Sequence, residues 1–261
     1  MHMRHKIQKN KLNYNEDGTP VRKYSNQDPP GDRDTYEKLQ INDPYNGYKD
    51  IVCTPIDMPY LDVDLDLINS FWKDPAFHKA NQDVTYGCRF GAGLVLFLVK
   101  NKFTQPEANS PWFDWVEKEI PHVKEFIEKL PFKSIRQCSF VQPPKATVPH
   151  YDEPVNMLPY LQAGAPSQYR IRWSNVTTPE DEVFFLTKDS GATKVYPVLP
   201  PKTNTFVYDG SVWEHGADRG FKNTDRMQII ISGVIDNEKH HALLDKSIEK
   251  YNDYVIYDKD F

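Results

Sequence analysis

Ser134-Ile135-Arg136-Gln137-Cys138-Ser139-Phe140-Val141-Gln142-Pro143-Pro144-Lys145-Ala146-Thr147-Val148-Pro149-His150-Tyr151-Asp152 is the stretch that decides the fold class. It holds two short runs rich in β-branched and aromatic residues, parted by prolines. The same texture continues downstream, with Pro, Gly, Asn and Asp between the runs. Strands are expected near 136–142, 147–152, 168–174, 182–187, 193–198, 204–208 and 226–235. Short strands in series with turn signals between them indicate a sandwich or barrel.

Upstream of this stretch the period changes. From Trp112 to Leu130, Phe113, Val116, Ile120, Val123, Ile127 and Leu130 recur at helical spacing and draw one apolar stripe. Pro121 interrupts it, so the helix kinks or a second helix begins there with proline in its first turn. Asp62 to Trp72 reads as a further helix with Leu65, Ile68 and Trp72 on one side, and Ala92 to Val99 as a buried strand. Helices first and strands after fit a helical layer on one face of a β-sandwich. Residues 1–50 are polar and broken by Asn, Asp, Gly and Pro, which suits an extended or partly disordered arm. The expected organisation is therefore an arm over 1–50 and a single domain over 51–261. Within the domain, helical support spans 60–130, a β core 134–236 and a C-terminal tail 237–261.

At 261 residues the chain is long enough for one large domain with extensions. Its net charge of −5 argues against a general nucleic-acid binder. The longest apolar run, Ala92 to Val99, is too short to cross a bilayer, and no apolar stretch follows the basic N-terminus as a secretory signal would require. Cys53, Cys88 and Cys138 are odd in number and far apart, which suggests reduced thiols in a cytoplasmic protein.

His150 and Asp152 are two residues apart, so on a strand both side chains face one side and can reach one metal ion, while Tyr151 points away. His215, in Asp209-Gly210-Ser211-Val212-Trp213-Glu214-His215-Gly216, follows a turn and can bring a third ligand from an opposite strand. Two histidines and one carboxylate are the donor set of mononuclear non-haem Fe(II) oxygenases, which leaves the remaining positions open. His-x-Asp alone is common on protein surfaces, and its weight here comes from the combination. Arg226 opens the apolar run Met227-Gln228-Ile229-Ile230-Ile231, where an arginine needs an anionic partner. Its planar fork suits a carboxylate of an acidic co-substrate, although an edge-strand ion pair would use the same residue. Arg170 and Arg172, in Tyr169-Arg170-Ile171-Arg172-Trp173, share one strand face. That face is either solvated, with Ile171 inside, or turned inward to bind carboxylates. His78, His122, His240 and His241 have no comparable neighbours, and His240-His241 lies in a charged segment expected at the surface.

These residues resemble the Fe(II)/2-oxoglutarate-dependent dioxygenases, nearest the aspartyl/asparaginyl β-hydroxylase and cis-proline-hydroxylase branch. The likeness spans Ile135 to Asp236. It is carried by Ser139-Phe140-Val141-Gln142-Pro143-Pro144, Pro149-His150-Tyr151-Asp152, Arg170-Ile171-Arg172 with Val176-Thr177-Thr178-Pro179, Phe206-Val207-Tyr208-Asp209-Gly210-Ser211, Glu214-His215 and Arg226. The resemblance implies a double-stranded β-helix (jelly-roll, cupin-like) with a helical layer on one face. It implies iron on His150, Asp152 and His215, and 2-oxoglutarate anchored by Arg226 with Arg170, Arg172 and Ser139 nearby. Arg172 stands where the family has a histidine. The implied reaction is hydroxylation of an aliphatic carbon of an amino acid or peptide side chain, with O2 consumed and succinate and CO2 released. The alternatives are a non-catalytic metal- and acid-binding cupin-like sensor, and a binding domain in which the triad is coincidence.

Overall fold

A computed structural model of the chain describes residues 6–9, 47–80, 85–87, 94–100, 111–142, 147–150, 170–174, 184–189, 191–208, 210, 213–218 and 227–261. The strands are β1 (Lys6–Lys9), β2 (Ile51–Pro55), β3 (Thr85–Gly87), β4 (Leu94–Phe97), β5 (Phe132–Gln142), β6 (Thr147–His150), β7 (Arg170–Ser174), β8 (Phe184–Thr187), β9 (Thr193–Tyr196), β10 (Thr205–Tyr208), β11 (Glu214–Ala217), β12 (Gln228–Ile235) and β13 (Ile256–Tyr257). They form an eight-stranded sheet in the order β13-β2-β10-β7-β12-β5-β4-β3 and a five-stranded sheet in the order β1-β9-β8-β11-β6. The neighbouring strands pair antiparallel. The protein is thus mainly β with flanking helices.

The helices form where the sequence periodicity places them. Helix α1 (Leu65–Lys73) starts at Asp64, whose carboxylate accepts from the Leu67 N–H at 2.9 Å. Its face bearing Ile68 and Trp72 is buried. Pro75 opens the short α2 (Pro75–Ala80). The long stripe divides at Pro121 into α3 (Asp114–Glu119) and α4 (Pro121–Glu128), with proline in the first turn, where its missing N–H costs no helical hydrogen bond. All six residues of the stripe, from Phe113 to Leu130, are buried.

Strand β10 of the eight-stranded sheet is buried on both faces. Val207 joins the core that contains Ile68, Trp72, Val116, Ile127, Phe140, Ile229 and Leu244, the face covered by helices. Its neighbours Phe206 and Tyr208 join a second core with Cys53, Leu186, Val195 and Trp213, between the two sheets. Period-two alternation sends successive side chains to opposite cores.

Several elements add to the expected organisation, strands β3 and β13 among them. Lys6–Lys9, within the predicted arm, pairs with β9 as an edge strand. Strand β2 was not expected. All five of its residues are buried, so it lacks the polar–apolar alternation that marks a half-exposed strand. Residues 237–251 of the expected tail form α5 (Asn237–Tyr251), capped by Asp236. Only His240, Leu244 and Ser247 on this mostly polar helix are buried, one residue per turn, and that is too thin a stripe to stand out in sequence. The Ser247 hydroxyl accepts from the Asp57 N–H at 2.8 Å, which ties α5 to the chain just after β2.

The surface placement expected for His240 is therefore corrected. Its side chain is inaccessible, because the helix turns this one histidine inward while His241 stays partly exposed. Burial first, and the neighbouring His241 second, push its pKa down to about 3. In the unfolded chain the same group titrates near 6.5. Below that value the unfolded state takes up a proton that the folded state refuses, so stability falls as pH drops toward about 3. Between about pH 7 and about pH 5, urea unfolding should show the wild type losing roughly 1–2 kcal/mol more than His240→Leu. Equal losses in the two proteins would remove His240 from the acid limb.

Candidate functional site

The candidate site is built on the pairing of β11 with β6. His215 and His150 are direct register partners across this antiparallel ladder. Side chains in that relation lie on one face within contact distance. Their imidazole centroids are 4.4 Å apart, with the rings inclined at 50°. His215 is fully buried and His150 half-buried. The two histidines selected in sequence, 65 positions apart, are thus brought side by side.

The ladder is irregular in a way that Pro149 explains. From His215 to Ala217 is two steps on β11, whereas their partners His150 and Thr147 are three steps apart on β6. The surplus residue makes a bulge, and proline, which has no N–H to give to a ladder, is suited to such a place. On the other edge of β11, His215 opposes Leu186 and Gly216 opposes Phe185 of β8.

Gly216 is required by close packing. A Cβ built there would lie 2.6 Å from the Thr147 carbonyl oxygen and 2.7 Å from Phe185 Cζ. Both are closer than real contacts allow, and one is backbone. The glycine lets β11, and hence His215, lie against β6. A glycine inside a strand is the sequence signal that pointed to this residue, though the reading of the sequence gave it no role.

His215 is oriented from the main chain. Its Nδ1 lies 3.2 Å from the Trp213 carbonyl oxygen, which can only accept, so Nδ1 carries the proton. This leaves Nε2 as the lone-pair nitrogen, the tautomer a metal-binding histidine needs. Aromatic rings wall the imidazole on the side of the eight-stranded sheet. Tyr208 lies edge-on at 4.7 Å, and Phe184 is at 6.0 Å. Phe184 in turn contacts Phe206 at 5.4 Å and Tyr208 at 5.1 Å. These apolar walls lower the local dielectric and would strengthen any charge interaction made within them.

The other selected residues stand as follows. Asp152 and Arg226 lie outside the described residues. Arg170 and Arg172 lie on β7 as the register partners of Tyr208 and Phe206. Arg172 is also opposite Ile230 of β12, and Ile230 is opposite Ser139 of β5. Phe206, Arg172, Ile230 and Ser139 therefore form one row across the sheet. Ser139 is buried, and its Oγ has no hydrogen-bond partner among the described residues. Of the other histidines, His122 Nε2 lies 3.0 Å from the Asp62 carbonyl oxygen at the surface. Among the described residues, no three His, Cys, Asp or Glu side chains gather as a metal cluster. Two adjacent imidazoles, one held in the lone-pair-out tautomer, nevertheless fit two of the three donors of a facial site.

No family model matches the chain, and no curated protein matches it. Among solved structures it is similar to the crystal structure of an oxidoreductase of the 2OG-Fe(II) oxygenase family from Burkholderia pseudomallei. The identity is 11%, the match covers 80% of this chain and 96% of that one, and the TM-score is 0.37. A likeness at that level carries no argument about activity. No helix among the described residues is long and apolar enough to cross a membrane.

Gly216→Ala should force β11 away from β6 or displace Phe185. Overpacking of this kind costs roughly 1–3 kcal/mol. Denaturant unfolding is the check, and an unchanged midpoint would show that the strands can part without loss.

Proposed function

We propose that this chain is an Fe(II)- and 2-oxoglutarate-dependent dioxygenase that hydroxylates an aliphatic carbon of an amino acid or peptide side chain, releasing succinate and CO2. The observation that carries this reading is the cross-strand pairing of His150 with the buried, Nδ1-anchored His215. Two antiparallel sheets with a shared core support a double-stranded β-helix as the architecture. Asp152, two residues beyond His150, supplies the third donor if β6 continues extended, because i and i+2 share a strand face.

When bound, iron and 2-oxoglutarate supply the oxidising power to place oxygen from O2 on an unactivated carbon. The chain's own part is binding, orientation and exclusion of water. His215 is held through Nδ1, so its Nε2 would be the atom to hold the metal. Arg226 is in phase with Gln228 and Ile230, so an extended backbone before β12 would put it on the same face of the sheet as Arg172 and Ser139. From that face the Arg226 guanidinium would hold the far carboxylate of 2-oxoglutarate, a group its planar fork suits. The register of Arg170 and Arg172 beside Tyr208 and Phe206, whose rings approach the five-stranded sheet, favours the inward reading of these arginines over the solvated one. One would serve the co-substrate and the other a carboxylate of the substrate. The Ser139 hydroxyl is a ready donor in that row.

Anaerobic Fe(II) binding and succinate release, measured against a panel of amino acids and peptides, test this reading. Ala at His150, Asp152 or His215 should abolish iron binding and turnover while far-ultraviolet circular dichroism is retained. Full activity in His215→Ala would sink the assignment. Metal binding without succinate under every condition would point to a sensor instead.

Arg226→Ala should weaken 2-oxoglutarate binding by roughly 2–5 kcal/mol, far more than it weakens iron binding. Arg226→Lys should recover only part of the loss, because a point charge lacks the planar fork. An unaltered 2-oxoglutarate affinity in the Ala variant would move the anchor to Arg170, Arg172 or Arg219.

A further inference from the structure

The segment that follows α5 reaches from one sheet to the other and ends against the residue that orients His215. Strand β13 is bonded to β2 at the edge of the eight-stranded sheet, and the Asp258 N–H donates to the Asp50 carbonyl at 2.8 Å. Three residues further on, Phe261 stacks on Trp213, with centroids 6.0 Å apart and planes within 13°. Lys188, just beyond β8, lies over both rings, its Nζ 5.2 Å from the Trp213 centroid and 5.3 Å from that of Phe261. Lys188 is itself held, donating to the Asp258 carbonyl at 2.9 Å and pairing with the Asp258 carboxylate.

We propose that Phe261, with Lys188 and Asp258, forms a clamp that positions the His215 imidazole through Trp213. Trp213 immediately precedes β11, and its carbonyl accepts the His215 Nδ1–H. The Trp213 indole is buried, and its Nε1 has no hydrogen-bond partner among the described residues. Its orientation therefore comes from packing, ring stacking and the cation over its face. An offset-stacked aromatic pair favours a narrow range of geometries, and a lysine cation on the ring face adds to that preference. The Lys188–Asp258 pair is exposed on both sides, so it contributes direction more than stability. With the clamp closed, the peptide of Trp213 is held in place and its carbonyl meets Nδ1 of His215. With the clamp open, the residue keeps its place in the chain, but the carbonyl is free to turn. Phe261 touches no reacting group. It is a positioning residue, one step beyond the group that holds the proposed metal ligand.

The inference rests on the proposed metal site for its functional meaning, and its test has a readout that does not. The probes are Co(II) titrated into metal-free protein and the ring ¹⁵N shifts of His215 in the same protein without metal. Phe261→Ala should bind Co(II) about 10-fold or more weakly, the range seen when groups behind a metal ligand are lost. It should also convert His215 from a single Nδ1–H tautomer to a mixture, with thermal unfolding little altered. Phe261→Trp should restore both properties. Lys188→Met, which keeps the stem but removes the cation and its hold on Asp258, should move both readouts in the same direction and serves if the Ala variant fails to fold. Wild-type Co(II) affinity and tautomer in Phe261→Ala or, should that variant not fold, in Lys188→Met would overturn the clamp. So would a loss of stability that Phe261→Trp does not reverse. If the wild type itself binds no Co(II), the metal reading fails, and the His215 tautomer alone decides the clamp.

Discussion

The close approach of β11 to β6 is the constraint on which the site depends. At Gly216 the space a methyl group would need is filled by a backbone carbonyl and an aromatic ring. The same approach sets His215 directly opposite His150. Packing and chemistry are thus one geometry here: what lets the strands touch also brings the imidazoles together. Pro149 absorbs the mismatch between the strands as a bulge, so the ladder is interrupted beside the histidine rather than at it.

The eight-stranded sheet serves two masters. One face packs on α1, α3, α4 and α5, and the other faces the five-stranded sheet. Strands buried on both faces carry few polar residues to mark their phase, which is why β2 is silent in the sequence while the half-polar β7 is legible. The buried polar residue Ser139 is correspondingly informative. It stands in one register row with Ile230, Arg172 and Phe206, and that row crosses the four strands β5, β12, β7 and β10. Polar groups on a face that also carries Phe206 and Tyr208 need partners or a ligand to offset the cost of leaving water.

The helical layer shows how little apolar surface is enough to dock an element. Helix α5 buries His240, Leu244 and Ser247, packs Leu243 and Ile248 partly buried against the core, and leaves most of its remaining surface charged or polar. A composition-based reading puts such a segment outside the core, and His240 with it. The tertiary structure favours the neutral form of that histidine, because burial penalises a charged imidazole and the neighbouring His241 adds to the penalty.

Local spacing in the sequence determined the helices on either side of Pro121, the helix begun by Asp64, and most of the strands after Ser134, because hydrophobic period and proline position act over a few residues. It also determined which side chains have the chemistry for a metal and an acid: His150, Asp152, His215 and the arginines. What only the tertiary structure decided is adjacency. That His150 meets His215, that Trp213 supplies the carbonyl behind it, and that Phe261 reaches Trp213 from beyond α5 are all facts of strand register and chain return. Register is settled by the whole set of side chains that must be buried at once, and no single stretch of sequence contains that set.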